Sequence, residues 1–448
     1  MGHAAQIAPR ESRRLAWPHR LLSSPGVAAV AVGGSALAAI LFGFAGVGRS
    51  GATPFGFDGR FLQVAGAMWL RGSNPYVAPD FNAASRVLGD PAVGAFGFAY
   101  PPTAAPLAMV LGALSFRTGA LVLAALNVAA AAAVIALTLQ MQPPRAARRT
   151  DVRAFAVVAV LASPFAQHVF WMGQTTLIAL AALLAGWWLG AVRGKTILGG
   201  VLLALSTMKP QLVALSLLWL AIEQRWRLMA AAAAAAALCA LPATLASGGP
   251  LALAHDWVHA LTRYAAGPVQ ALSSLHVFGL RSLFVLSGVF SPTCAAGAVG
   301  ALAVAGLAFL SPLRATRVRS RQKERRETLS ATVALTLTLS ILLVYAHDYD
   351  LAALAPLAVF AWIESGDREG VATGLVTALA LLFLPQRLLR GLTGVSAHPW
   401  LLHWREVVVG AIALASMLGL ERVNKARTED DRVGGELEGS VRAPLEQG

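Results

Sequence analysis

Apolar residues fall along this chain in long runs, and the polar residues between them are bunched rather than scattered. Runs of about 17 to 25 apolar residues suit helices that cross a hydrocarbon layer roughly 30 Å thick. The first extends from Pro25 to Val47, and others cover 118–141, 152–170, 174–192, 228–246, 293–313, 328–346, 350–364, 368–388 and 404–420. No series of short alternating strands accompanies them. The pattern therefore predicts an all-α polytopic membrane protein rather than a barrel. Shorter apolar pieces at 101–116 and 281–290 interrupt the series. Residues 196–222 begin and end beside basic side chains yet carry "STMKPQ" in the middle. A helix from residue 196 to Lys209 reaches only about 20 Å, so two short re-entrant helices are expected, with Lys209-Pro210 at their tip.

Composition agrees: 57% of the 448 residues are hydrophobic and the mean hydropathy is +0.64, values that leave the bilayer as the natural solvent. The net charge of +14 raises the question of nucleic acid, but the distribution of the charge answers it. Arg10, Arg13, Arg14 and Arg20 precede the first run, Arg145, Arg148, Arg149 and Arg153 sit in "PPRAARRTDVR", and seven basic residues crowd the stretch from Arg314 to Arg326. Basic loops of this kind face the cytoplasm, so membrane lipids rather than nucleic acid are the expected partners. The parity that follows puts residues 48–100 and 247–280 outside, on the periplasmic side of a bacterial inner membrane.

Three parts are thus expected: a basic cytoplasmic stretch 1–24, a membrane domain 25–420, and a polar cytoplasmic tail 421–448. The first run is long for a signal peptide and reads as an uncleaved anchor. Cys239 and Cys294 both lie in apolar segments, which suits packing rather than a disulfide or a metal. Within the first outer stretch, "RFLQVAGAMWLRG" places Phe61, Leu62, Val64, Ala65, Met68 and Trp69 largely on one helical face. That arrangement predicts a helix lying in the membrane interface, with Trp69 among the headgroups.

Charge is scarce, at 13% of residues, so ionisable groups beside apolar runs need a reason. Asp58 in "FGFDGRFLQ" stands next to the first run. Tyr100 with Pro101 and Pro102, Gln174 in "WMGQTTL", Lys209, and His347, Asp348 and Asp350 in "YAHDYD" all fall at expected outer helix ends. The second outer stretch adds His255, Asp256, His259, Arg263 and Tyr264 in "HDWVHALTRY". Each has a structural alternative. Asp58 could cap the helix after it, Tyr100 could anchor in the interface, and Gln174 could join two helices. Lys209 could snorkel, and His347 with Asp350 could cap the next helix. His255 and His259 have the spacing of a metal pair but no HExxH glutamate, so no metal is expected. Taken together, a base, a cation and several hydrogen-bonding groups on one outer face suit transfer of a group from a lipid phosphate. A transporter or lipid flippase is the rival reading, although no internal repeat of the transporter kind is visible.

These motifs, "GSNPY", "YPPT", "GQTTL", "MKP" and "HDYD" in that order after the outer acid, resemble the membrane glycosyltransferases of the GT-C type. The specific resemblance is to the polyprenol-phosphate-mannose-dependent α-mannosyltransferases of glycosyltransferase family 87, and it runs from about residue 55 to 420. It implies a sugar donor linked to a polyprenyl phosphate, mannose in the type members, and a lipid or glycan acceptor at the outer face. It also implies no cofactor, with the donor a substrate. The acid of the first outer loop, the general base of the family, maps to Asp58. Lys209 and His347 match positions expected to contact donor phosphate or acceptor, with Gln174, Tyr100, Asp350 and Arg263 as further binding candidates. Thr175 stands where the family commonly has Asn. A lipid-linked pentose donor fits the same residues.

Overall fold

The computed structural model describes residues 15–49, 53–267, 277–288, 291–319, 322–366, 368–384 and 403–416, with the backbone alone at 309–319 and 322–328. The side chains of the Arg314 to Arg326 stretch, the ends of the expected spans at 385–388 and 417–420, and the tail from Glu421 lie outside the described residues. The described chain is helical apart from one minimal ladder. Its strands β1 (Val277–Phe278) and β2 (Ala346–His347) pair antiparallel, with Val277 opposite His347.

α1 (Trp17–Ser23) and α2 (Pro25–Ala38) are divided by Ser24, which the following proline holds extended. α2 runs on through a π-helical turn, Ala39–Phe44, so the first apolar run forms one rod. The first outer stretch folds as α3 (Phe57–Leu70), α4 (Ala78–Val87) and α5 (Pro91–Phe96). α6 (Ala105–Gly112) is the short piece before the long α7 (Phe116–Met141). After α8 (Pro144–Ala147), the run read as a single span is two helices, α9 (Thr150–Leu161) and α10 (Pro164–Met172), bent by 47°. Pro164 is the cause. It supplies no N–H to the α9 ladder and drives Ser163 to ψ 122°.

α11 (Thr176–Trp187) continues as a π turn to Val192. α12 (Thr196–Ser206) and α13 (Pro210–Ile222) are two short helices broken at Lys209-Pro210 as expected, but they do not fold back on each other as a hairpin. α12 packs on α11 and on the following helix Trp226–Ala246, and α13 on the later helix Gln322–Leu343. α14 (Trp226–Ala246) leads to α15 (Pro250–Ala265) in the second outer stretch. α16 (Leu280–Leu286), α17 (Pro292–Arg319), α18 (Gln322–Leu343), α19 (Ala355–Ser365), α20 (Glu369–Phe383) and α21 (404–416) complete the order. Among the described residues three helices can cross a membrane by length and composition, namely α2 with its π turn, α7 and α14, and the bent α9–α10 pair makes a fourth.

Two contacts position the site. α3 lies against α6 at backbone distance, because a Cβ on Gly66 would run into the Ala108 carbonyl and one on Gly112 into the backbone of Gly66 and Ala67. Close approach through small residues is how apolar helices gain contact without a hydrophobic driving force. α3 is consequently buried on nearly every side, and Trp69, expected among headgroups, is 4% exposed. Its ring meets Tyr76 and Phe98 edge-on at 6.1 and 5.5 Å. At the N-terminal end of α9, buried His19 on α1 reaches Asp151 at 2.8 Å and Ser365 at 3.1 Å. Arg149 adds a second contact to Asp151 at 2.7 Å, so α1, α9 and α19 are pinned together.

Candidate active site

The position of Asp58 follows from three glycines. Gly56 takes φ +74° as the residue before α3, and its N–H donates to the Trp171 carbonyl at 2.8 Å. Gly173 takes φ +67° and ends α10. A side chain on Gly59 would meet Leu123 at 2.8 Å. With no Cβ at these points, the first turn of α3 rests on the α10–α11 turn and brings Asp58 to the Gln174 side chain. Asp58 is the second residue of α3 and makes no capping bond, so its partner is across the bundle rather than in its own helix.

Gln174 is fixed from both sides. Its amide nitrogen donates to the Asp58 carboxylate, and its amide oxygen accepts from the Tyr100 hydroxyl at 3.0 Å. Its main-chain carbonyl accepts from Asn127 Nδ2 at 2.9 Å. The donor end of Gln174 therefore faces the acid. Burial pushes the Asp58 carboxyl up to about 6, and the charges of Asp348 and Asp350 add to the rise. The Gln174 hydrogen bond and the charge of Lys209 pull the other way.

Lys209 lies at the α12–α13 break and is 4% exposed, with its ammonium 3.4 Å from Asp350 Oδ1. The ring centroids of Tyr349 and Tyr100 lie 4.7 and 5.8 Å from the same nitrogen. Asp350 is fully buried. It accepts from Thr176 at 2.6 Å, Gln211 at 3.2 Å and the His347 main chain at 3.1 Å. This is a built counter-ion, with each lone pair occupied as a buried carboxylate requires. The His347 ring stacks on Tyr349 at 5.0 Å, and its Nε2 lies 3.3 Å from the Tyr345 hydroxyl and 3.5 Å from that of Tyr264.

These groups border one cavity of about 1180 Å³. Asp58, Tyr100, Gln174, Lys209 and His347, the polar groups that the sequence places at outer helix ends, line it. Two expected binding residues do not line it. Asp350 sits behind Lys209, sealed from the cavity. Arg263 donates to the Tyr76 carbonyl at 2.6 Å, and so ties α15 to the "SNPY" turn. Asp256 and Trp257 assist, through Asn74 at 2.7 Å and the Ala99 carbonyl at 3.3 Å.

Other lining residues were not anticipated. Gln211 could have been found, two places after Lys209 and on the same turn of chain. Arg49 and Arg405 also line the cavity, but each adjoins an apolar run, where an arginine reads as an anchor. His168 and Trp171 belong to α10, whose separation from α9 the apolar pattern concealed. Among the described residues no group of three or more His, Cys, Asp or Glu could hold a metal ion.

A carboxylate with a raised pKa, lining the same cavity as a cation, can take a proton from a hydroxyl while the cation accepts negative charge from a departing group. The comparison with known families bears on which group departs. The model of glycosyltransferase family 87 matches residues 98–345, more than half of the chain. No curated protein and no solved structure matches it. Tyr100, Gln174 and Lys209 lie within the matched segment, and Asp58 precedes it. With its apolar spanning helices and this match, the chain is a multi-pass membrane glycosyltransferase and belongs to glycosyltransferase family 87.

Proposed function

We propose that the protein transfers a sugar, mannose in the reading the motifs favour, from a polyprenyl-phosphate donor to a hydroxyl of a lipid or glycan acceptor. The reaction takes place at the periplasmic face of the inner membrane. The observation that carries this reading is Asp58, a carboxylate raised to about 6 by burial and opening on a cavity that Lys209 also lines. Near neutral pH such a group is mostly ionised yet still basic enough to take a hydroxyl proton.

The chemistry is a single displacement. The acceptor hydroxyl gives its proton to Asp58, and its oxygen forms a bond to the anomeric carbon. The bond from that carbon to the phosphate oxygen breaks, and polyprenyl phosphate leaves with the electron pair. One displacement inverts the centre, so a β-linked donor gives an α-linked product. The diester phosphate gains a negative charge as it becomes a monoester, and Lys209 is the nearby cation that meets it. Asp350 holds Lys209 in place rather than touching substrate. Gln174 aims Asp58, and Tyr100 aims Gln174. His347, Tyr264 and Tyr345 offer polar contacts for sugar hydroxyls. Nothing in this scheme calls for a nucleotide or a metal.

Incubation of detergent-purified protein with radiolabelled polyprenyl-phosphate sugars and a membrane lipid extract tests the reading. Label should pass from polyprenyl-phosphate mannose into a lipid-extractable or glycan product. Label that moves only from a nucleotide sugar would refute the donor class.

A further inference from the structure

α15 presents three faces, and the rest of the protein covers one of them. At about 3.6 residues per turn, Leu253, Asp256, Trp257, Ala260 and Tyr264 share a side of the helix. That side meets the chain. Leu253 and Ala260 are buried, Asp256 accepts from Asn74 at 2.7 Å, and Trp257 donates to the Ala99 carbonyl at 3.3 Å. The exposed remainder divides into two strips. Leu251, Ala254, Val258, Leu261 and Ala265 recur at alternating intervals of three and four residues and so line up along the helix. Leu251, Val258 and Leu261 are 86%, 56% and 36% exposed. On the next strip round stand His255, His259 and Thr262, also exposed. An apolar strip beside a polar one suits a helix lying at a membrane surface, with the first in the acyl boundary and the second in water.

The place of α15 in the chain supplies that membrane. α14 is long and apolar enough to span a bilayer, and Leu238, Leu241 and Leu245 in its second half are 71%, 47% and 72% exposed. Gly248 and Gly249, at φ +79° and +138°, then break the helix, and Pro250 starts α15. Leu251 follows Leu245 by six residues, at the point where a spanning helix leaves the hydrocarbon. The apolar strip of α15 therefore continues the lipid-facing surface of α14, and it carries no charged side chain to pair with a protein partner. The same helix walls the cavity. Trp257 and Tyr264 line that space from its inner face, and Leu261 and Ala265 line it from the edge of the strip. α3, for which the apolar pattern suggested an interfacial position, is buried instead.

We infer that α15 is an interfacial helix whose Leu251–Val258 strip beds in the phospholipid leaflet at the Ala246 end of α14, so that bilayer and cavity share one helical wall. The inference is independent of which sugar or donor the protein uses. Leu251→Cys, Val258→Cys, His255→Cys and His259→Cys are made singly in the full chain with Cys239 and Cys294 replaced. Each is spin-labelled and reconstituted into vesicles of phosphatidylethanolamine and phosphatidylglycerol. Relaxation of the label by oxygen, which concentrates in lipid, is compared with relaxation by a water-soluble nickel chelate. Oxygen should dominate at positions 251 and 258, and the nickel chelate at 255 and 259. Two positions on each strip keep the comparison intact if one variant does not fold. Dominance of the nickel chelate at all four would place the strip in water and overturn the inference. Weak relaxation by both reagents at 251 and 258 would overturn it in favour of a protein cover, such as a second copy of this chain. Dominance of oxygen at all four would make the helix submerged rather than interfacial, and would overturn it too.

Discussion

On the proposed mechanism, Asp58 and Gln174 set the pH range in which transfer runs. A carboxyl raised to about 6 holds its proton below that pH and cannot take another, so the rate should fall about tenfold per unit on the acid side and level off above about 7. Gln174 donates to the ionised form and so lowers the pKa. Gln174→Leu should therefore move the acid limb to higher pH in a pH–rate profile, and an unmoved limb would assign the titration to another group. Lys209 needs a paired variant, because Lys209→Met alone strands Asp350 without its cation, at a cost of about 3 to 5 kcal/mol. The double variant Lys209→Met with Asp350→Asn should melt higher than the single one, and donor kcat/KM should still fall about 10- to 100-fold. Equal kcat/KM in the double variant and the wild type would leave Lys209 a structural role only. Asp58, Tyr100, Gln174 and Lys209 were legible in the sequence because polar groups beside apolar runs stand out. What the sequence hides is orientation. Asp350 has the same signature as Asp58, yet Thr176, Gln211 and the His347 main chain turn it away from the cavity.

The helices deliver these residues through contacts that depend on absent side chains. Gly66 lets α3 lie on the Ala108 carbonyl of α6, and a larger residue must push the two helices apart. Gly66→Val should cost about 1 to 3 kcal/mol, lower the melting temperature and reduce transfer by moving Asp58. Gly34→Ala, with nothing within 4 Å of the added methyl, should leave both unchanged within error or melt slightly higher. If the two variants melted alike, the close contact of α3 and α6 would not be what positions the acid. The break between α12 and α13 was legible from length and from Lys209-Pro210, whereas their packing on other helices rather than on each other was not. The burial of α3 was not, because a stripe of apolar residues looks the same whether headgroups or another helix cover it. Gly59 and Gly66 were the available sign of close packing. Pro164 likewise marked the bend between α9 and α10, but the apolar run continues through it and reads as one span.

At the scale of the whole molecule, the basic stretches predict which end of the bundle faces the cytoplasm, and the cavity takes its residues from breaks at the other end. Cysteines placed at Val87, which is 78% exposed, and at exposed Lys195, in a chain with Cys239 and Cys294 replaced, should react with impermeant reagents from opposite sides of intact cells and inverted vesicles. Labelling of both from outside would contradict the topology. The class of the molecule was legible from hydropathy alone. The cavity was not, since residues from position 42 to position 405 meet around it and only folding brings them together. The central claim is that Asp58 accepts the acceptor's proton during transfer from a lipid-linked sugar, and the most direct measurement compares wild type with Asp58→Asn. Both proteins are purified and supplied with the same radiolabelled polyprenyl-phosphate sugar and lipid extract at pH 7.5 or so, and their initial rates are measured beside their melting temperatures. Asn keeps the shape and removes a carboxylate that burial disfavours, so the variant should melt no lower than the wild type while its turnover falls by about 10² to 10⁴. A folded Asp58→Asn protein that transfers sugar at nearly the wild-type rate would contradict the account.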